Sequence, residues 1–190
     1  MDYMLSTLAL WLPEECWAEL ARQTAGRDPR FSDVRWLPEG ETAQPLEREF
    51  LYVGGWSAAA ARAESDPEVW ILSADPAGQG RGRLLLARGE EDLCRRLYQG
   101  LRDAFFALNR WVIDLDAAVM ENASLQALTD LSGPILRNPV VFFDTGFSVL
   151  AHTGNLTERD APLYEVVRSG TADPGTILQL QTVKRTPPTP

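Results

Sequence analysis

From Glu90 to Glu121, apolar side chains recur at Leu93, Leu97, Leu101, Phe105, Leu108, Trp111, Leu115 and Val119. Steps of three and four place them on one face of an α-helix. Glu90, Glu91 and Asp92 open the stretch, where acids suit the positive end of a helix dipole, and Gly100 alone breaks its run of helix formers. At 1.5 Å per residue such a helix is about 45 Å long, more than one small domain covers. An uncovered part of the stripe would be a larger apolar patch than soluble monomers expose. The sequence therefore predicts a homodimer, with Leu97, Leu101, Phe105 and Leu108 at the seam. A mean step near 3.7 favours a short crossing or a bundle over a long left-handed coiled coil.

The rest of the 190-residue chain must supply bodies for this helix to pack on. A hydrophobic fraction of 45% and a charged fraction of 24% are ordinary for a globular protein. Basic residues number 18 against 27 acidic ones, a formal charge of −9. No basic face is visible, so direct nucleic-acid binding is not expected. No apolar run approaches the roughly 20 residues that span a bilayer, and no basic segment opens a signal peptide. A cytoplasmic protein without membrane contact is the expectation. Cys16 and Cys94 have no metal-binding spacing and read as small buried hydrophobes.

Before the long helix, residues 1–89 read as a small α/β region. Pro13-Glu14-Glu15 starts a helix that Gly26 ends. Phe31 to Leu37 and Phe50 to Val53 are strand-like, and the alanine-rich Ser57 to Glu64 reads as a short helix. Glu68 to Ser73 and Arg83 to Ala87 flank the turn-dense segment 75–82 and predict a hairpin. After the long helix (90–122), an amphipathic segment runs through Leu125, Leu128, Leu131 and Ile135. Pro139 to Phe143, the turn Asp144-Thr145-Gly146 and Phe147 to Ala151 form the strongest hairpin signal of the chain. A short helix over 162–168 ends at Gly170, and residues 183–190 read as a disordered tail.

Few residues suggest catalysis. His152 is the only histidine, and pairing with Asp144 across the hairpin would suit a hydrolase. An acid that opens a tight turn more commonly accepts backbone N–H groups. Nucleophile-elbow, zinc-protease and phosphate-loop signatures are absent, and Gly78, Gly80 and Gly82 have the wrong spacing for a dinucleotide loop. An enzyme is not expected, nor is a cofactor or a metal. Phe142, Phe147 and His152 are candidate ligand contacts, while Asn138 and Asp144 are expected to hold backbone groups at the helix-to-strand passage and the turn.

One stretch resembles a known family. Trp111, Leu125-Gln126-Ala127-Leu128, Ile135-Leu136-Arg137-Asn138-Pro139-Val140-Val141-Phe142-Phe143-Asp144 and Phe147-Ser148-Val149-Leu150-Ala151 are similar to the sensory region of PucR/CdaR-type bacterial transcriptional regulators. The resemblance covers roughly residues 90 to 170. It implies an α+β chain whose region 123–182 is PAS- or GAF-like, partial here, and contains the β-hairpin. It implies a non-enzymatic sensor of a small metabolite, without the helix-turn-helix that reads DNA. The alternative is a protein–protein adaptor that dimerises through helix 90–121 with no ligand.

Overall fold

The computed structural model describes residues 1–24, 26–37, 45–74, 83–87, 89, 91–136, 138–154, 156, 161–173 and 175–176. Helices and strands mix throughout, and the chain divides into two compact units, Met1–Ala107 and Leu108–Pro190. The division falls inside the long helix, so that helix is not a body of its own.

In the first unit, β1 (Tyr3–Met4) pairs antiparallel with β2 (Arg30–Phe31). Two helices lie between them in sequence, α1 (Leu5–Ala9) and α2 (Glu14–Gln23). Pro13 precedes α2 with φ −54°, an angle its ring sets. A four-stranded sheet follows in the order β3 (Asp33–Trp36), β4 (Phe50–Val53), β5 (Trp70–Ala74), β6 (Leu84–Ala87), and every pairing in it is parallel. Ile71 lies opposite Leu84 and Ala74 opposite Ala87. The hairpin expected for these two segments is therefore wrong. Every residue of β4, β5 and β6 is buried. Near-continuous apolar runs such as Leu84-Leu85-Leu86-Ala87 belong to strands covered on both faces, the habit of parallel sheets, whereas hairpin strands alternate. The segment 75–82 between them lies outside the described residues.

On one face of the sheet, α3 (Trp56–Ser65) brings Ala59 against Leu37, Phe50, Tyr52, Val69, Ile71, Leu84 and Leu86. α4 (Glu91–Met120) reaches the sheet through Cys94, whose thiol donates to the Gly54 carbonyl at 3.3 Å. Tyr98 meets Trp36 edge to face. Leu97 and Leu101 are fully buried within one chain, and Phe105 and Leu108 nearly so. These four positions were the expected dimer seam. With their side chains already removed from water, a second copy has nothing left to bury there.

The second unit contains the last part of α4, α5 (Leu125–Leu136), the antiparallel hairpin β7 (Val141–Phe143) with β8 (Val149–His152), and α6 (Ala161–Ser169). Asn122, at φ 56°, ends α4 in a left-handed residue, and the Ala123 N–H reaches back to the Ala118 carbonyl. The Ser124 hydroxyl caps α5 by accepting from Ala127 N–H at 3.2 Å. Gly170 ends α6 with φ 76°, and a bridge from Thr171 to Ser148 ties the chain back to the hairpin. The expected tail, 183–190, lies outside the described residues. No helix among the described residues is long and apolar enough to cross a membrane.

Candidate functional site

Two places hold candidate functional residues: the β7–β8 hairpin, which the sequence singles out, and a cleft in the first unit. At the hairpin, Asp144 Oδ1 accepts from the N–H groups of Gly146 and Ser148, both at 2.8 Å. Phe147 occupies the left-handed region at φ 64°, a conformation costly for an aromatic residue and held here by flanking hydrogen bonds. Its N–H donates to the Asp144 carbonyl, and its carbonyl accepts from Ala172 N–H. Phe142 and Phe147 are each 42% exposed.

His152 lies at the far end of the same ladder, opposite Val141. Its imidazole Nδ1 is 3.2 Å from the Thr153 carbonyl. Its backbone is clamped by Gln126 on α5, which donates to the His152 carbonyl at 2.8 Å and accepts from the His152 N–H at 3.1 Å. Asp144 and His152 thus sit at opposite ends of the hairpin, and the pairing that a hydrolase would use is not assembled.

Asn138 does not play the part expected of it. Its side chain is exposed and makes no hydrogen bond among the described residues. The passage into β7 is held from across the hairpin by Thr153. That buried side chain accepts from Val140 N–H at 3.0 Å, and Thr153 N–H donates to the Val140 carbonyl at 2.9 Å.

The cleft lies in the first unit, between α1 and α2, with a volume of about 210 Å³. Leu5, Ala9, Leu20 and the polar Thr24 line it and are buried; Ser6, Arg27 and Asp28 form its polar rim. Gly26, at φ 79°, turns the chain out of α2 in a conformation that favours glycine. The following loop is latched to the first turn of α1. Asp28 accepts from Ser6 N–H at 2.9 Å and from the Ser6 hydroxyl at 2.6 Å, and Leu5 N–H donates to the Pro29 carbonyl at 2.9 Å. First-turn N–H groups have no partner inside their own helix, and this loop supplies one. Arg27 makes no ion pair among the described residues.

After α1, the turn carrying Trp11 and Leu12 meets α4. A methyl group on Gly100 would stand 3.3 Å from the Trp11 carbonyl oxygen and 3.6 Å from Leu12 Cδ2. Tyr3, on β1, meets Phe105 edge to face at 5.6 Å. Burial raises the Tyr3 phenol above its ordinary pKa.

No family model, curated protein or solved structure matches the chain. The residues must therefore carry the functional argument themselves. Among the described residues, no three His, Cys, Asp or Glu side chains gather to hold a metal. The cleft escaped the sequence reading because its rim pairs Ser6 with Asp28, 22 positions apart. Gly26 was the one local signal, and it reads equally well as a plain helix stop.

Proposed function

We propose that the chain is the signal-sensing part of a cytoplasmic transcriptional regulator, with no catalytic activity and no DNA reader among its residues. The observation that carries this reading is the close approach of α4, at Gly100, to Trp11 and Leu12 in the turn that joins α1 to α2. A ligand that shifts this turn biases α4, which continues from the first unit into residues of the second. The mechanism is a population shift: a ligand that binds one packing of α4 better than another favours that packing. The resemblance of residues 90–170 to PucR/CdaR-type sensory regions supports a PAS- or GAF-like reading of the second unit. There Phe142, Phe147 and His152 are the ligand contacts that this reading assigns.

A thermal-shift screen with small metabolites, followed by hydrogen exchange, tests the proposal. A ligand that binds only the folded state raises the melting temperature. It should also change amide exchange in α4 between Leu97 and Phe105. A bound ligand that leaves α4 exchange unchanged would overturn the relay.

A second reading, an adaptor that dimerises through α4 without a ligand, is favoured by one observation. Phe106, Ile113 and Met120, spaced by seven on α4, are 74%, 63% and 82% exposed. Residues seven apart share a helix face.

A further inference from the structure

We propose that α4 docks on α4 of a second copy of this chain, the two helices antiparallel about a two-fold axis at Ile113, with Arg110 of each copy level with Asp116 of the other. The inference deepens the adaptor reading and rests on it for the fact of association; the direction of the pair rests on the charges that α4 itself carries.

One side of α4 is left open within the chain. Trp111 Nε1 donates to the Ser132 hydroxyl on α5 at 3.2 Å, so the side of the helix that carries Trp111 is taken. Ile113 lies about 200° further round the helix, and it is exposed together with Phe106 and Met120. Asn109, Arg110, Asp116 and Ala117 fall between them on the same side and are exposed as well. From Phe106 to Met120 this seam runs about 21 Å along the helix. Large apolar side chains aligned on one open helix face leave water only against a partner.

The charges on the seam select the partner and its direction. Phe106 and Met120 are equally spaced about Ile113, so in an antiparallel pair centred there Phe106 of one copy meets Met120 of the other. By the same count Arg110 and Asp116 come level twice, once on each side of the axis, and the small Ala117 leaves the Arg110 side chain room to cross. Arg110 gives its Nε to Asp114 of its own chain, at 2.9 and 3.1 Å, and both Nη groups remain to reach over the seam. Asp116 makes no ion pair among the described residues. A guanidinium and a carboxylate so placed form a charge-assisted pair. In a parallel pair each residue lies level with its own copy, so Arg110 would stand beside Arg110 and Asp116 beside Asp116, like charges that oppose the arrangement. A face whose cation and anion exchange places under a two-fold rotation is complementary to itself. That self-complementarity marks a second copy, rather than an unrelated helix, as the occupant.

Sedimentation equilibrium of the full chain up to high micromolar concentration, with charge-swapped variants, tests the pairing. The parent should report a monomer–dimer equilibrium. Arg110→Glu and Asp116→Arg each set like charges across the seam and should weaken association about tenfold or more. The double variant Arg110→Glu, Asp116→Arg restores opposite charges and should recover the parent's affinity. Positions 110 and 116 lie about 9 Å apart along one helix, so the rescue reports contact between chains. Both side chains are exposed, and thermal unfolding of each variant confirms that the fold is kept. Cysteine crosslinking reads the direction. Phe106→Cys mixed with Met120→Cys should crosslink under mild oxidation, and neither should crosslink with itself, since like positions stand about 21 Å apart in the antiparallel pair. The native Cys16 and Cys94 are buried and do not compete. A dimer that both single swaps leave intact, a double variant no tighter than the singles, or self-crosslinking of Phe106→Cys would each overturn the antiparallel pairing and leave the adaptor reading standing. A parent chain that stays monomeric at high micromolar concentration would overturn both.

Discussion

Gly54 ends β4 where an added methyl group has no room. An ideal Cβ there would stand 2.6 Å from Leu37 Cβ, an atom fixed to its own backbone. The Gly54 carbonyl accepts from the Ser73 hydroxyl at 2.8 Å and from the Cys94 thiol, and its N–H donates to the Leu72 carbonyl. Gly54 is thus held on three sides while its missing side chain lets Leu37 close over it. Gly54→Ala should destabilise the fold by about 1–3 kcal/mol, since the clash can be relieved only by moving backbone. Urea denaturation should show a lower midpoint with an unchanged slope; an unchanged midpoint would show that the strand end yields freely. In the sequence, Gly54-Gly55 reads as a strand stop, which is what it is. That Leu37, 17 positions earlier, is the reason for glycine rather than any other stop required the parallel pairing of β3 with β4.

At the scale of elements, the chain solves one problem twice. β6 is the last strand of its sheet, and Gln23 on α2 covers its edge. The Gln23 amide donates to the Leu86 carbonyl at 2.7 Å and accepts from the Leu86 N–H at 2.7 Å. On β8, Gln126 does the same for His152. A side-chain amide has the donor and acceptor of a peptide group, so it stands in for one residue of a missing strand. It also blunts an edge that would otherwise pair with another chain. Gln23→Leu keeps the bulk and removes both partners from a buried peptide, at a cost of about 1–3 kcal/mol. Chemical denaturation should register that loss, and hydrogen exchange at the Leu86 amide should accelerate. Protection at Leu86 equal to the parent's would show that the edge has another cover. The elements themselves were largely legible: the long helix, α2, α3, α5 and the β7–β8 hairpin all fall close to where periodicity and turn residues place them. The direction of β6 was not, because turn-rich spacing alone does not distinguish a hairpin from a parallel return.

At the scale of the whole molecule, α4 carries an exposed apolar face at Phe106, Ile113 and Met120. The stripe of Leu97 and Leu101 is core, so association through α4 has to use the face of Ile113 and Met120 instead. If the adaptor reading holds, light scattering at micromolar concentration should report twice the chain mass. Ile113→Asp should then return the monomer without lowering the melting temperature of the monomeric fold, because the side chain is 63% exposed. A parent chain that is monomeric at high micromolar concentration would exclude that reading. Sequence by itself determined the apolar periodicity of α4, the β7–β8 hairpin and the acidic balance, because period, turn chemistry and charge are properties of neighbours along the chain. Only the tertiary structure decided which face of α4 is buried, that β5 and β6 run parallel, and that Thr153 rather than Asn138 holds the start of β7. Each of these depends on residues far apart in sequence meeting across a core, and local pattern carries no record of which distant side chain fills a given space.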